Sequence, residues 1–445
     1  MSLASLIRVP FTKNLKVGNG QTEMPTMNSS THSAAPAPFP RTPLLWMALG
    51  TFAVGTEGFM IAPLLPDIAS DLLIDVNKAG LLVTIFALAY AVSSPVLTTL
   101  TARAHRRWLL IVCMAGFAVA NVVAWSSGTY GGLMTARILI ALAAGLYVPN
   151  ANALASAIVS PGQRGRALAV INAGTTTALV FGLPIGQMIG ARLGWRMTFA
   201  GVALLALCAT VGLIIGLPCS VGSALPIAAW RERLDVARQP TVLLALLVTT
   251  LWATGAYTVY TYFAVYLKVV TGIGGMYVGL VFLLWGVCAA AGVFIGGALN
   301  DRLGARSVIL PSLALVGLAF LGLFAADALS RDYALGLVLA CVVAWGIGAW
   351  AFFPAQQARL IGFAGLKAAP IVLSLNASFM FIGFSLGSAI GAVTISVATP
   401  ADLGWVGALF ELAALLLIFA GHRIPVSATG GDLAFCTTSA GTEGK

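Results

Sequence analysis

Charge is scarce in this chain: Asp, Glu, Lys and Arg together make up 9% of its 445 residues, where soluble domains carry roughly a quarter. A water-soluble globule is excluded on that ground alone. Histidine is scarcer still, with three residues, His32, His105 and His422, all in tails or at loop ends. No HExxH, paired carboxylates or histidine within a hydrophobic run is present, which argues against a membrane-embedded enzyme. The six cysteines are scattered without CxxC or metal-ligand spacing, so they read as packing residues, and neither a metal nor a cofactor is expected. No GxxxxGK[ST] run offers a nucleotide site, so any work the protein does must draw on a gradient. The first 43 residues are rich in Ser, Thr, Pro and Ala without the apolar core of a signal peptide. They are expected to be a disordered tail, with Met24 and Met27 as alternative starts.

What fills the chain instead is hydrophobic, 59% of all positions. A membrane-spanning helix needs about 20 mostly apolar residues. Such windows fall at 44–66, 78–100, 108–126, 131–158, 167–191 and 198–217, and again at 241–267, 276–298, 307–326, 333–354, 368–397 and 403–421. Lys78, Arg192, Arg196, Lys268 and Arg331 lie on one side of this array and Arg137 lies inside a span. The other 18 of the 24 basic residues share the opposite side. Basic loops stay in the cytoplasm, so both termini are expected there. The net charge of +10 then reflects topology, and nucleic acid is not a partner; the lipid bilayer is.

Between the eighth and ninth windows lies a charged island, Gly297-Ala298-Leu299-Asn300-Asp301-Arg302-Leu303-Gly304-Ala305-Arg306, with a degraded copy at 98–107, 199 positions earlier. Small residues echo as well. Gly174, Ala178, Gly182, Gly186 and Gly190 recur every four residues in the fifth window, and Gly383, Gly387 and Gly391 do so in the eleventh. Asn172-Ala173 pairs with Asn376-Ala377, and Gly194-Trp195 with Gly404-Trp405. The expectation is an all-α membrane protein of 12 transmembrane helices in two pseudo-symmetric six-helix bundles. These span 44–217 and 241–421, joined by a linker at 218–240 that is amphipathic around Trp230 to Arg238. Tails at 1–43 and 422–445 flank them.

The island resembles the loop signature of the major facilitator superfamily, and the resemblance extends over about residues 44 to 421. Gly182-Leu183-Pro184-Ile185-Gly186 is similar to the fifth-helix antiporter motif of its drug exporters. Gly55-Thr56-Glu57-Gly58-Phe59 with Leu64-Leu65-Pro66-Asp67-Ile68-Ala69 is similar to the first helix of the chloramphenicol-resistance, arabinose-efflux and purine-efflux subgroup. The resemblance implies a 12-span drug:proton antiporter of the cell membrane, the inner membrane in a Gram-negative bacterium. It also implies a monomer that exchanges a small molecule for protons by alternating access. A proton-coupled or facilitative uptake carrier shares the same features and stays open.

By the same resemblance, Gly297, Asp301, Arg302, Gly304 and Arg306 form a cytoplasmic latch. In the first-half copy Thr98, Ala102 and His105 replace key positions, leaving Arg103, Arg106 and Arg107. Gly182, Pro184 and Gly186 would let the fifth helix bend, and the glycine stripes of the fifth and eleventh helices would slide against each other.

Glu57, Arg137 and Glu411 are the strong charges well inside windows, where an ion costs roughly 2.5–3.5 kcal/mol on insertion scales. Glu57 stands 13 residues from one end of its window and nine from the other, and Arg137 reaches a similar depth. The two are expected to pair. Glu57 is then either the proton-exchanging group, with Arg137 as its modulator, or a permanently paired structural acid. Glu411 lies in the twelfth span, which the resemblance places at the periphery, and reads as structural. Substrate contacts are expected from Asn150, Phe181, Tyr257 and Asn376, among the aromatic and polar residues of the fourth, fifth, seventh and eleventh spans.

Overall fold

A computed structural model describes residues 40–101, 103–218, 230–365 and 368–421. Of the expected tails, residues 1–39 and 422–445, with Met24, Met27, Cys436 and two of the three histidines, lie outside the described residues. So do Ala102, Lys367 and most of the linker with Cys219. Arg41–Pro43 are not tail but the first turn of a helix.

In hydrocarbon every backbone N–H and C=O needs an internal partner, and a helix supplies it. Twelve helices among the described residues are long and apolar enough to cross a membrane. They are α1 (Arg41–Asp71), α2 (Val76–Leu100), α3 (Arg106–Ser126), α4 (Tyr130–Ala157), α5 (Arg164–Leu193) and α6 (Trp195–Gly216). After a short helix at Trp230–Ala237 come α7 (Pro240–Tyr260), α8 (Met276–Leu303), α9 (Ala305–Ala326), α10 (Arg331–Ala364), α11 (Ala369–Val397) and α12 (Asp402–Gly421).

Three of these depart from the windows. At 34 residues, α10 is about 51 Å long at 1.5 Å per residue, against a hydrocarbon thickness of about 30 Å. Its end carries Arg359 in a helix, where a loop residue was expected. In α5 a π-turn occupies Ala178–Gly182. Pro184 has no N–H to bond the carbonyl four residues back, and the wider turn takes up the mismatch. The seventh span stops at Tyr260 and resumes as Phe263–Val270, with no Pro or Gly at the break to announce it.

The glycine stripes do not face each other. Gly174, Gly182, Gly186 and Gly190 of α5 face Thr51, Thr56, Met60 and Leu64 of α1. Gly383, Gly387 and Gly391 of α11 face the seventh span, from Ala253 through Thr254 to Tyr262. Four-residue spacing reports a face that permits close approach; it carries no information about which helix approaches. Threonines exploit both contacts: Thr51 Oγ1 donates to Ile171 O at 2.7 Å, Thr250 Oγ1 to Phe379 O at 3.1 Å and Thr258 Oγ1 to Gly387 O at 3.2 Å.

The charged island becomes a one-residue link. Gly304 closes α8 and opens α9 with φ +80°, a left-handed conformation that a side chain resists. His105 holds the equivalent place in the first-half copy at φ −65°, so that turn is built differently and tolerates the loss of glycine. There Arg107 donates from Nε to Leu217 O at 2.8 Å and from Nη2 to Ile214 O at 2.9 Å. These bonds satisfy carbonyls at the end of α6 that no intrahelical donor reaches.

At the opposite end of the bundle Asp71 accepts from Arg196 Nη1 at 2.5 Å and from Trp195 Nε1 at 3.3 Å. Both charged side chains are about one-third to one-half in the open, and such pairs contribute below about 1 kcal/mol. Asp71→Asn is accordingly expected to lower thermal stability by less than that amount, measured by unfolding in detergent.

Candidate functional site

The centre of the molecule is built on α1 and α4. Glu57 and Arg137 are fully buried there, and Arg137 Nη1 donates to Glu57 Oε1. Arg137 also donates from Nε to Leu82 O at 3.3 Å and lies 4.1 Å from the centroid of the Phe86 ring. That is cation–π distance. Neither Glu57 Oε2 nor Arg137 Nη2 has a hydrogen-bond partner, so a fork that can bond a carboxylate twice is used once. The neighbouring Thr56 packs on Gly182 of the α5 π-turn, which ties the bent helix to the helix that carries Glu57.

Beside this pair lies an aromatic cavity lined by Phe59, Trp252, Tyr257, Tyr260, Trp285, Trp345, Trp350 and Phe384 with Ala256 and Ala349. Its free volume is ≈ 20 Å³, room for about one water, so the site is collapsed in this conformation. Tyr257 stacks on Phe384 at 3.7 Å between ring centroids. Tyr260 donates from its hydroxyl to Phe59 O at 2.9 Å, joining α7 to α1 across the centre.

Of the expected substrate residues, Tyr257 lines this cavity and the other three do not. Asn150 accepts from Arg106 Nη1 and donates to Leu146 O at 2.6 Å. Asn376 accepts from Thr249 Oγ1 at 2.8 Å, and Thr249 also receives Gln356 Nε2 at 3.1 Å. Both asparagines hold helices together. Phe181 is 56% exposed and does not line the cavity. Sequence reasoning missed Trp285, Trp345 and Trp350 of α8 and α10. A signal existed: tryptophans in membrane helices concentrate at the interfaces, and Trp285 and Trp345 sit well inside their spans.

Contacts between the first six spans and the last six gather at the middle of the bundle and at the end away from the charged island. Ser385 Oγ donates to Thr84 O at 3.0 Å and Ser388 Oγ to Gly80 O at 3.1 Å, joining α11 to α2. Gln187 Nε2 of α5 donates to Gly275 O at 3.3 Å. Deeper in, Tyr90 stacks on Phe381 at 3.7 Å. At the island itself Asp301, Arg302 and Gly304 are exposed, as are Arg306 and Arg103, and Asp301 forms no ion pair with a described residue. Gly297 has open space where a side chain would stand.

Glu411 of α12 is buried against Gly255 of α7 and Gly317 of α9, and neither carboxyl oxygen has a hydrogen-bond partner. Cys113, Cys288 and Cys341 are buried free thiols and Cys208 is exposed.

The chain matches the Major Facilitator Superfamily over residues 47–388. It belongs to that superfamily. Members similar to it include the uncharacterized MFS-type transporter YbcL of Bacillus subtilis, 35% identical over 84% of this chain and 94% of its own length. The inner membrane transport protein YdhP of Escherichia coli K12 is 33% identical over 86% and 96%. The chloramphenicol resistance protein of Streptomyces lividans is 31% identical over 88% and 98%. Among solved structures, a bacterial homologue of the human lysosomal transporter Spinster, inward-facing and occupied, superposes with a TM-score of 0.70 at 17% identity. It covers 87% of this chain and 98% of its own. As a superfamily member the protein is a multi-pass membrane transporter that handles small molecules, and it is not an enzyme.

Proposed function

We propose that this transporter is a monomeric secondary exporter that moves a small amphiphilic drug or metabolite out of the cytoplasm in exchange for protons. The observation that carries the reading is the Glu57–Arg137 pair, fully buried and bonded through one oxygen only. A carboxylate is held charged by a neighbouring cation and gives up that state when the cation turns away. A conformational change that separates α1 from α4 therefore changes the affinity of Glu57 for a proton. That differential affinity is what couples an ion to a conformational equilibrium.

Supporting the direction are the antiporter-like Gly182-Leu183-Pro184-Ile185-Gly186 segment and the likeness to the chloramphenicol resistance protein of Streptomyces lividans. With the basic loops in the cytoplasm, the contacts α2–α11 and α5–α8 close the outer side, while Asp301 on the inner side is exposed and forms no ion pair with a described residue. The two six-helix bundles, 44–217 and 241–421, are the bodies that rock about the central cavity.

The test is proton release from acid-loaded inside-out vesicles on addition of amphenicols, dyes, purines and pentoses. One compound class is expected to alkalinise wild-type vesicles and to do so at least about tenfold less with Glu57→Gln, a loss of 1.4 kcal/mol or more in coupling. A signal that survives in Glu57→Gln removes Glu57 from the proton path. Substrate accumulation driven by the opposite gradient would make the protein an uptake carrier.

A further inference from the structure

A carboxyl buried in a membrane helix needs a hydrogen-bond partner, because an unmade polar group is costly there and an unpaired charge far more so. Three other acids of this chain meet that demand. Glu57 accepts from Arg137, Asp71 from Arg196 and Trp195, and Asp402 from Trp405 at 2.8 Å. Glu411 does not. It is the tenth of the 20 residues of α12 and fully buried, it joins no ion pair with a described residue, and neither of its oxygens has a hydrogen-bond partner.

What lies against Glu411 is glycine. A Cβ on Gly255 of α7 would stand 3.0 Å from Glu411 Oε1, and a Cβ on Gly317 of α9 would stand 3.5 Å from Glu411 Cβ. The helices packed on α12 are α7, α9 and α11. Of their titratable groups, Tyr257 and Tyr260 of α7 line the central cavity, Arg306 stands near the start of α9 and Asp327 just past its end, and α11 has none. Asp402 opens α12 itself. None of these bonds to Glu411. Sealed from solvent, with no cation and no donor, the carboxyl keeps its proton. An apolar side chain would fill the same slot without the unmade bonds.

The helix that Glu411 rests on is tied to both halves of the molecule. Tyr260 of α7 donates to Phe59 O of α1, and the ring of Tyr262, just past the break, packs over Gly80 of α2. Trp252, Ala256 and Tyr257 of the same helix line the cavity. A change that parts the bundles or widens the cavity displaces α7 against α12, and so uncovers the Glu411 carboxyl.

We propose that Glu411 is a second proton-binding residue of the transport cycle, which holds its proton while α7 rests on α12 and exchanges it with water when α7 moves away. The carboxyl O–H bond breaks to leave a carboxylate, the proton passes to water, and the return step reverses both. Protonation thus favours the conformation closed at the outer side, and deprotonation favours its opening. The inference rests on the transport reading for its place in the cycle, but it is tested without substrate.

The test is thiol labelling at Ser388→Cys, which reports opening at the outer end, read at that residue by peptide mass spectrometry between about pH 5 and about pH 9. Four proteins in nanodiscs would carry it: one with both acids intact, Glu411→Gln, Glu57→Gln and the double variant. Gln copies the neutral carboxyl, and dividing the rate with Glu411 by the rate with Glu411→Gln removes the titration of the thiol. That quotient is expected to rise at least about tenfold with pH, the effect of a one-unit difference in proton affinity between two conformations. A flat or falling quotient overturns the proposal. A flat quotient with pH dependence lost in Glu57→Gln would leave the export reading standing while sinking this one; a rising quotient with Glu57→Gln unaltered would do the reverse. Should Glu411→Gln fail to insert, infrared spectra decide. In the Glu57→Gln protein with carbon-13-labelled glutamate, Glu411 is the one Glu left within the twelve spans, and its protonated-carboxyl band should weaken as pH rises. A band that is absent, or that ignores pH, overturns the proposal as well.

Discussion

Glu57→Ala is expected to destabilise the protein by about 3–5 kcal/mol, the range for removing one partner of a buried ion pair, and Arg137→Ala by distinctly less. The asymmetry comes from chemistry. When Arg137 is removed, the carboxyl of Glu57 can neutralise itself by taking a proton, whereas a guanidinium cannot lose one and stays charged at any accessible pH. Its contacts with Leu82 O and the Phe86 ring persist and offset part of the loss, but neither carries a negative charge. Thermal unfolding of the two single variants and of the double variant in nanodiscs would measure this. The double variant is expected to lie above Glu57→Ala, because it removes the orphaned charge. If Arg137→Ala proved the costlier change, packing of the Arg side chain on Phe86 would outweigh the ion pair.

Gly286→Val is expected to abolish transport while leaving an inserted, monodisperse protein. A Cβ on Gly286 of α8 would fall on the carbonyl of Leu179, with the Leu179 carbonyl carbon 2.9 Å and Val180 Cα 3.4 Å away. These are backbone atoms of the α5 π-turn, so no rotamer change relieves the overlap, and α5 and α8 must separate. Overpacking costs about 1–3 kcal/mol, and about 3 kcal/mol shifts a two-state ratio roughly 150-fold. The variant therefore disfavours the conformation closed at this end, and the cycle stalls. The check is the rate of thiol labelling at Ser388→Cys, a buried position bonded to Gly80 O. It should rise at least about tenfold in the Gly286→Val background as the same end opens. Unchanged labelling together with normal transport would show that α5 and α8 accommodate the side chain locally.

These two cases differ in how much a reader of the sequence foresees. The depths of Glu57 and Arg137 follow from residue counts along two apolar runs, because rise per residue is constant in a helix and a lone ion in hydrocarbon demands a partner. That much is local. Gly286 attracts no notice in the sequence, since it belongs to no stripe; its importance comes from a neighbour more than a hundred positions away. The stripes that do attract notice were legible as smooth faces and misassigned as to partner. Asn150, Phe181 and Asn376 had polar or aromatic character suited to a ligand, yet Arg106 and Thr249 claim the two asparagines. A side chain's capacity to bond is a property of its type, and which bond it makes is decided by whatever packs against it.

The sequence by itself determined that this chain lies in a membrane, that twelve helices cross it, and that it belongs with the major facilitators. Apolar run length, the scarcity of charge and the repeated island are all properties of composition and order along the chain. Only the tertiary structure decided that α5 lies on α1 and α11 on α7, that the seventh span breaks at Thr261, and that aromatic residues of α7, α8 and α10 line one cavity. Those are contacts between distant segments, and hydrophobicity, being non-directional, places a helix in the bilayer without choosing its neighbours.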